Sequence, residues 1–320
     1  MRPRMPHLPS RLGLVCLLCL ACLFCLAHPA RRLAAGEATS PFGDNGFRFG
    51  YTTSLLSEVS RADAEAAMTL WSRELLRIGG YSVSADLTVY DDLPSFVSAI
   101  RNNEIDFIAL SSLEFLKIRD QVPMEPALFG DRDGKPGDEH MVIVRADSGV
   151  RGLNQLRGAR LTRVSGANGD IGALWIDSLL AKQGLPSSQR HFGSVKEFMK
   201  GQQAILSVFF RQADACLVGK IAYDMAVELN PRLGKELAVL AVSPVYPVAV
   251  TCFRKALTRA QKDEFVRLAF GMQDTPAGKQ ILTLFKINRL SRNYQGAFDP
   301  LIELVRESEG RKSAKKRVPE

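Results

Sequence analysis

The sequence predicts an α/β protein built on mostly parallel sheets. Two observations predict it. Apolar runs of strand length alternate with stretches of helical period from Phe47 to Val242. Polar residues, chiefly Ser, Thr, Gly and Asp, close the strands and open the helices that follow, as βαβ units require. At 320 residues and 46% hydrophobic, the chain is long and apolar enough for one large domain or two, and a disordered chain is excluded. Six cysteines are too few for a disulfide scaffold at this size.

The elements follow in order. Phe47–Tyr51 is a short strand. A helix over Asp63–Ile78 sets Ala66, Ala67, Leu70, Trp71, Leu75 and Ile78 roughly on one face, and Gly79-Gly80 stops it. Ser82–Tyr90 alternates as a strand. Asp91 and Asp92 are candidate N-caps, Pro94 suits the first turn, and a helix runs to Arg101. Ile105–Leu110 is a buried strand, after which Ser111 and Ser112 cap a helix over Leu113–Arg119. Residues 130–139 form a turn-rich loop. Strands are expected at Met141–Arg145, Arg160–Val164, Ala213–Val218 and Leu237–Val242, and an extended segment at Val245–Phe253. Helices are expected at Leu153–Leu156, Ala173–Gln183, 196–211, Ile221–Leu229, Arg259–Met272, Pro276–Lys286 and about Pro300–Glu307.

The amino-terminal segment reads as an address. Arg2, Arg4 and Arg11 precede an uncharged apolar run, Leu12–Ala27, which is short for a spanning helix of about 20 residues. Residues 1–36 are therefore expected to be a secretory signal with its cleavage region, cut after Ala27 or after Gly36. An uncleaved anchor, or lipidation at Cys22, is the competing reading. Four of the cysteines (Cys16, Cys19, Cys22 and Cys25) fall in this segment. Cys216 and Cys252 remain, both in apolar runs, and are expected to be buried free thiols.

The formal charge of +8 is concentrated at the ends, because residues 37–310 hold 32 basic and 33 acidic residues. The body thus lacks the basic excess of a nucleic-acid binder. The tail, residues 310–320, reads as a disordered basic terminus.

No catalytic or metal motif appears after the signal. There is no GxSxG, HExxH or CxxC, and Gly219-Lys220 is followed by Ile221 instead of the hydroxyl residue of a phosphate loop. His140 and His191 have no second ligand at zinc spacing. The sequence therefore predicts neither an enzyme nor a cofactor. The strongest local feature is Ser165-Gly-Ala-Asn168-Gly169-Asp170-Ile-Gly172, between a strand and a helix. Glycines let backbone approach a ligand, and free N–H groups at a helix start favour an anion. Asp170 either caps the helix or faces a cationic part of a ligand. Comparable polar ends follow the other strands at Thr52-Thr53, Asp91-Asp92, Ser111-Ser112 and Gly219-Lys220, the carboxyl ends that line a ligand crevice in open α/β sheets.

One internal echo stands out. IRNNEIDFIALSS (100–112) and FRQADACLVGK (210–220) share a grammar: a basic residue, a polar link, an aspartate, four apolar residues and a polar helix start. Asp106 and Asp214 lie 108 positions apart. Two lobes of similar architecture would leave this trace, and so would chance reuse of a common βαβ pattern.

The segments NNEIDFIALSSLEFLKIRD, VIVRADSGVRGLNQLRGARL, QADACLV and SPVYPVAVTCFRKAL, with the glycine loop, resemble the phosphonate/phosphite-type substrate-binding proteins of ABC transporters over about residues 47–309. The resemblance implies the type 2 periplasmic binding protein fold, a two-lobed clamp. Lobe one would be residues 47–143 plus 246–309 and lobe two residues 144–245, with hinge crossings near Val144 and Val245. It implies a periplasmic monomer that captures a small polar solute for an ABC permease in the inner membrane, or that reports it to a membrane sensor kinase. Thr52, Thr53, Ser111 and Ser112 would line lobe one. Ser165, Asn168, Gly169, Asp170 and Lys220 would line lobe two, with Tyr246 at the mouth. The sequence departs from the family where the phosphonate cradle has a Ser-Thr pair, since Gly169 and Asp170 stand there. Where aminophosphonate binders place acids it has Ile221 and Ala249.

Overall fold

The computed structural model describes residues 40–43, 46–56, 61–292 and 295–317. The expected signal segment, residues 1–36, lies outside the described residues. Among the described residues no helix is long and apolar enough to cross a membrane. The body from Thr39 onward forms one compact unit built on two sheets.

The elements of the first part are β1 (Phe47–Thr52), α1 (Arg61–Gly79), β2 (Ala85–Tyr90), α2 (Leu93–Arg101), β3 (Phe107–Ser111), α3 (Ser112–Ile118) and β4 (Met124–Asp131). Local sequence accounts for their ends. Gly80 takes a left-handed φ of 68° where α1 stops, and Tyr81 N–H closes onto Leu76 C=O. Asp92 caps α2 by accepting from Ser95 N–H at 2.8 Å, with Pro94 in the first turn.

The second part comprises β5 (Asp138–Arg145), β6 (Arg160–Val164), α4 (Gly166–Lys182), α5 (Ser188–His191), β7 (Ser194–Phe198), α6 (Gly201–Phe209), β8 (Ala215–Gly219), α7 (Lys220–Leu229), α8 (Arg232–Glu236) and β9 (Leu237–Tyr246). The chain then returns through β10 (Ala249–Arg254), α9 (Arg259–Gly271), α10 (Pro276–Leu284), β11 (Arg289–Ser291) and α11 (Asp299–Arg317).

Sheet one has the order β11-β4-β10-β3-β1-β2 and sheet two the order β7-β6-β8-β5-β9. Each contains a parallel trio, β2-β1-β3 or β7-β6-β8, flanked by an antiparallel strand, β10 or β5. The sheets are mixed and not mostly parallel as the sequence predicted: the parallel trio runs from one edge of each, and the remaining strands pair antiparallel because the chain returns through them between the two sheets. Helices cover them and three apolar clusters fill the space between. The core of sheet one is aromatic: Phe107 stacks on Phe265 at 4.1 Å, and Phe47, Phe49 and Trp71 surround the pair.

The internal echo is a structural repeat. Asp106 immediately precedes β3 and holds Arg48 of β1 through Nε at 2.7 Å and Nη2 at 2.8 Å. Asp214 immediately precedes β8 and holds Arg160 of β6 through Nε at 3.1 Å and Nη2 at 2.8 Å. Each aspartate N–H donates to the carbonyl of its arginine at 2.9 Å. Three residues upstream, Asn103 and Arg211 take left-handed φ values of 59° and 61°, and each gives its carbonyl to the same arginine. One βαβ unit thus occurs twice, which makes Ser111 at the end of β3 the counterpart of Gly219 at the end of β8.

Several elements differ from the sequence reading, each for a physical reason. β4 was hidden by Pro123 and Pro126; Pro126 sits where the register with β10 shifts, so its missing N–H disturbs no regular ladder. β7 is an exposed edge strand without apolar alternation, so the helix expected over 196–211 starts only at Gly201. The glycine segment expected as a loop is already helical, because α4 starts at Gly166. Gly166 makes the turn from Ser165 with a φ of 77°.

β5 pairs on both sides within sheet two, so the chain passes between the sheets before Asp138 and again at Pro247-Val248. α11 runs past Glu307 to Arg317, and residues 318–320 of the expected tail lie outside the described residues. That helix packs on α4 and β9 of sheet two, while Phe298 at its start stacks on Phe115 of α3. Leu301 and Leu304 belong to the one cluster that draws on both sheets.

Candidate functional site

The segments that follow the parallel strands meet: α4, after β6, touches the turn after β1 and α3, after β3. On sheet one, Ser111 caps α3 in a reciprocal box with Glu114. Glu114 does more than complete the cap. Its Oε2 accepts from Ser54 Oγ at 2.6 Å, Thr52 Oγ1 at 2.7 Å, Ser111 Oγ at 2.9 Å and Ser111 N–H at 3.0 Å. Thr52, the last residue of β1, is buried, and Thr53 opens the turn that carries Ser54. Ser112 is fully buried; its N–H donates to Val248 C=O and its hydroxyl has no partner.

On sheet two, Asn168 of α4 donates through Nδ2 to Asp138 Oδ2 at 3.2 Å. Asp138 Oδ1 accepts from Ile221 N–H at 3.1 Å, so this buried carboxylate caps the start of α7. Gly219 makes room for the pair, because a Cβ there would fall 2.0 Å from Asp138 Oδ2 and 2.7 Å from Asn168 Nδ2. His140, paired with Gly219 across the strands, donates through Nε2 to the Asn168 carbonyl at 2.8 Å. That carbonyl can only accept, so Nε2 carries the hydrogen. Burial holds the His140 ring below its ordinary value, and burial raises the Asp138 carboxyl.

The two halves meet through α4, which touches the turn Thr53–Leu56 and α3. Asp170, one turn into α4, keeps solvent access. The surrounding walls nevertheless withdraw enough water to raise its carboxyl above the usual value; Arg163 opposes this, while Glu197 and Glu114 reinforce it. Glu114 belongs to sheet one, so the charges of the two halves sense each other. Arg163 is itself paired with Glu197.

The remaining expected residues make contacts within their own surroundings. Ser165 directs its hydroxyl to Phe198 C=O at 3.3 Å and leaves α4 without a side-chain cap. Gly169 is buried and packs against its own strand: a Cβ would lie 1.9 Å from Val164 C=O. Lys220 lies along α7 and pairs with Asp224 at 2.6 Å. Tyr246 is buried in the shared core; burial, aided by Glu307, pushes its phenol up to about 12.

Glu114, Ser54, Asp138 and His140 were not among the expected site residues. The Ser-x-x-Glu spacing of Ser111 and Glu114 was a legible capping signal, and Asp138 lay in an acidic turn. Cys216 and Cys252 are free and fully buried, one in each sheet, and burial raises both thiols, so neither is poised as a nucleophile. His191 donates through Nε2 to Leu153 C=O at 2.8 Å, inside the fold.

The buried His140 gives a pH dependence. Its folded value lies below the ordinary 6.5, so the unfolded chain binds the proton more tightly and stability falls as pH drops through 6.5. Asp138, raised above 3.8, acts in the opposite sense at lower pH. Urea unfolding should show lower stability at about pH 6 than at about pH 7.5. His140→Gln should flatten that difference; an unchanged pH slope in the variant would show that other groups carry it.

No curated protein matches the chain. Among solved structures, PhnD1 from Prochlorococcus marinus in complex with methylphosphonate is similar with a TM-score of 0.61 at 17% identity, covering 83% of this chain and 99% of that one. A binding protein component of an ABC phosphonate transporter from Pseudomonas aeruginosa is similar with a TM-score of 0.57 at 15% identity, over 81% and 84% of the two chains. A Xanthomonas citri protein bound to ATP gives 0.56 at 16% identity, over 85% and 99%. At these identities the likeness shows the fold: two sheets in the type 2 periplasmic binding protein arrangement. The family described as ABC transporter, phosphonate, periplasmic substrate-binding protein matches residues 49–293. That span includes every strand apart from the first two residues of β1 and every candidate residue named above, and the chain belongs to this family of periplasmic substrate-binding proteins.

Proposed function

We propose that this chain closes its two lobes on a small polar solute and delivers the closed form to an ABC permease in the inner membrane. Export through the amino-terminal signal and action as a monomer belong to the same reading, as does the absence of covalent chemistry. Lobe one is built on sheet one and lobe two on sheet two. The observation that carries the reading is the meeting of strand ends: α4, which follows β6 and carries Asp170, touches α3, which follows β3 and carries Glu114. Binding shifts an open–closed equilibrium because the solute touches both lobes only when they are shut. Val248, which accepts from Ser112 between the crossover strands, belongs to the hinge.

A thermal-shift screen tests this. Phosphate, phosphite, phosphonates, sulfonates, amino acids and amines are offered to the purified protein. A bound solute at about 100 times its dissociation constant stabilises the fold by about 2.7 kcal/mol, which is several degrees in melting temperature. A flat response across all classes would sink the solute-capture reading.

A further inference from the structure

The carboxy-terminal helix α11 is fastened to both lobes, at a distance from the strand ends. Its first turns are apolar, with Leu301, Ile302, Leu304 and Val305, and its later turns are polar. The two ends hold different partners. At the start, Phe298 stacks on Phe115 of α3 with ring centroids 4.8 Å apart and meets Phe129 of β4 at 5.4 Å. Both partners belong to sheet one and its helices. Roughly 13 Å further along, at the helical rise per residue, Glu307 reaches sheet two's helix α4. It accepts from the Ser178 hydroxyl and pairs with Lys182 at 2.9 Å.

The bond to Ser178 is the stronger tie. Ser178 is 2% exposed, and Glu307 satisfies its buried hydroxyl. The Lys182 side chain is 64% exposed, so solvent screens the ion pair. The Ser178 hydroxyl first, and then Lys182, hold the Glu307 carboxyl below its ordinary value. The Phe298 end is apolar packing without direction, whereas the Glu307 end depends on one hydroxyl in one place.

α3 and α4 are the helices that touch each other where the two sheets' segments meet. Parting them therefore pulls on α11 from both ends. The chain crossings before Asp138 and at Pro247-Val248 are covalent and leave the lobes able to turn. α11 adds a further tie that is noncovalent and can be released.

We propose that α11 is a strap between the lobes, latched on α4 by Glu307, and that the latch favours the shut arrangement; this rests on the open–shut reading above. Glu307 is then a positioning residue. It stands outside the candidate site and changes solute affinity only through the fraction of molecules that are shut.

Small-angle X-ray scattering of the solute-free protein tests the strap. Glu307→Ala, and Ser178→Ala on the facing helix, should each raise the radius of gyration by shifting the open-to-shut ratio about tenfold, the equivalent of one charge-assisted hydrogen bond. Ser178→Ala leaves α11 itself intact, so a shared response identifies the latch and not fraying of the helix. Glu303→Ala is the control: that carboxylate pairs with Arg306 of the same helix and its loss should leave the scattering unchanged. Thermal melts show that each variant remains folded. An unchanged radius in both latch variants overturns the proposal. So does a rise in only one of them, since a latch has two sides, and so does an equal rise in Glu303→Ala. None of these results touches solute capture, because the measurement uses no solute and the thermal-shift screen decides that reading separately.

Discussion

Asp106→Ala is expected to destabilise the protein by about 3–5 kcal/mol, the range for removing one partner of a buried ion pair. The Asp106 carboxylate is 5% exposed as a residue and is held by two arginines. Arg48 reaches it at 2.7 and 2.8 Å, and Arg254 at 3.0 and 2.7 Å. Truncation removes these charge-assisted bonds and leaves two guanidinium groups facing each other, with the Arg254 side chain only 15% exposed.

The repeat supplies an internal control. Asp214 occupies the same place in sheet two, but its side chain is 42% exposed against 7% for Asp106, and it has one arginine. Solvent screens that pair, so Asp214→Ala should cost about 1 kcal/mol or less. Urea unfolding of the two variants side by side is the measurement. Equal losses would refute the argument from burial.

Gly169→Ala is expected to be the next most damaging change, lowering stability by about 3 kcal/mol, at the upper end of the usual cost of overpacking. The added methyl group would stand 1.9 Å from the Val164 carbonyl oxygen and 2.7 Å from its carbon. Both are backbone atoms of a paired strand and cannot rotate aside. Relief requires α4 to move off β6, and α4 carries Asn168, Asp170 and the contact with His140. The loss should appear in the melting temperature of the unliganded protein. A variant that melts normally and only binds poorly would return Gly169 to the role the sequence suggested, a backbone position reserved for the ligand.

The candidate site was legible in part. Thr52, Ser111, Asn168 and Asp170 were marked because polar residues at strand ends and helix starts are local features, and the structure brings all four to the facing edges. Gly169 and Tyr246 carried the same kind of mark but are spent on packing, one against its own strand and one in the shared core. Glu114 escaped because a capping box explains a Ser-x-x-Glu spacing completely within four residues. That the same carboxylate collects hydroxyls from Thr52 and Ser54 depends on contacts about sixty positions apart. Asp138 escaped for a related reason: its partner, Ile221 N–H, lies 83 positions away.

The same division holds for the whole chain. Alternating apolar periods determined the α/β class and the two βαβ units, because burial of strands and helix faces is written residue by residue. The repeated aspartate was visible in the sequence, and pairing across strands turned it into a repeat of geometry. Folding alone decided which strands join which sheet, how far α4 and α11 extend, and which donors at the cleft remain free. Those outcomes depend on sums over distant partners: a hydroxyl has one proton to give, and only the assembled protein fixes which acceptor receives it.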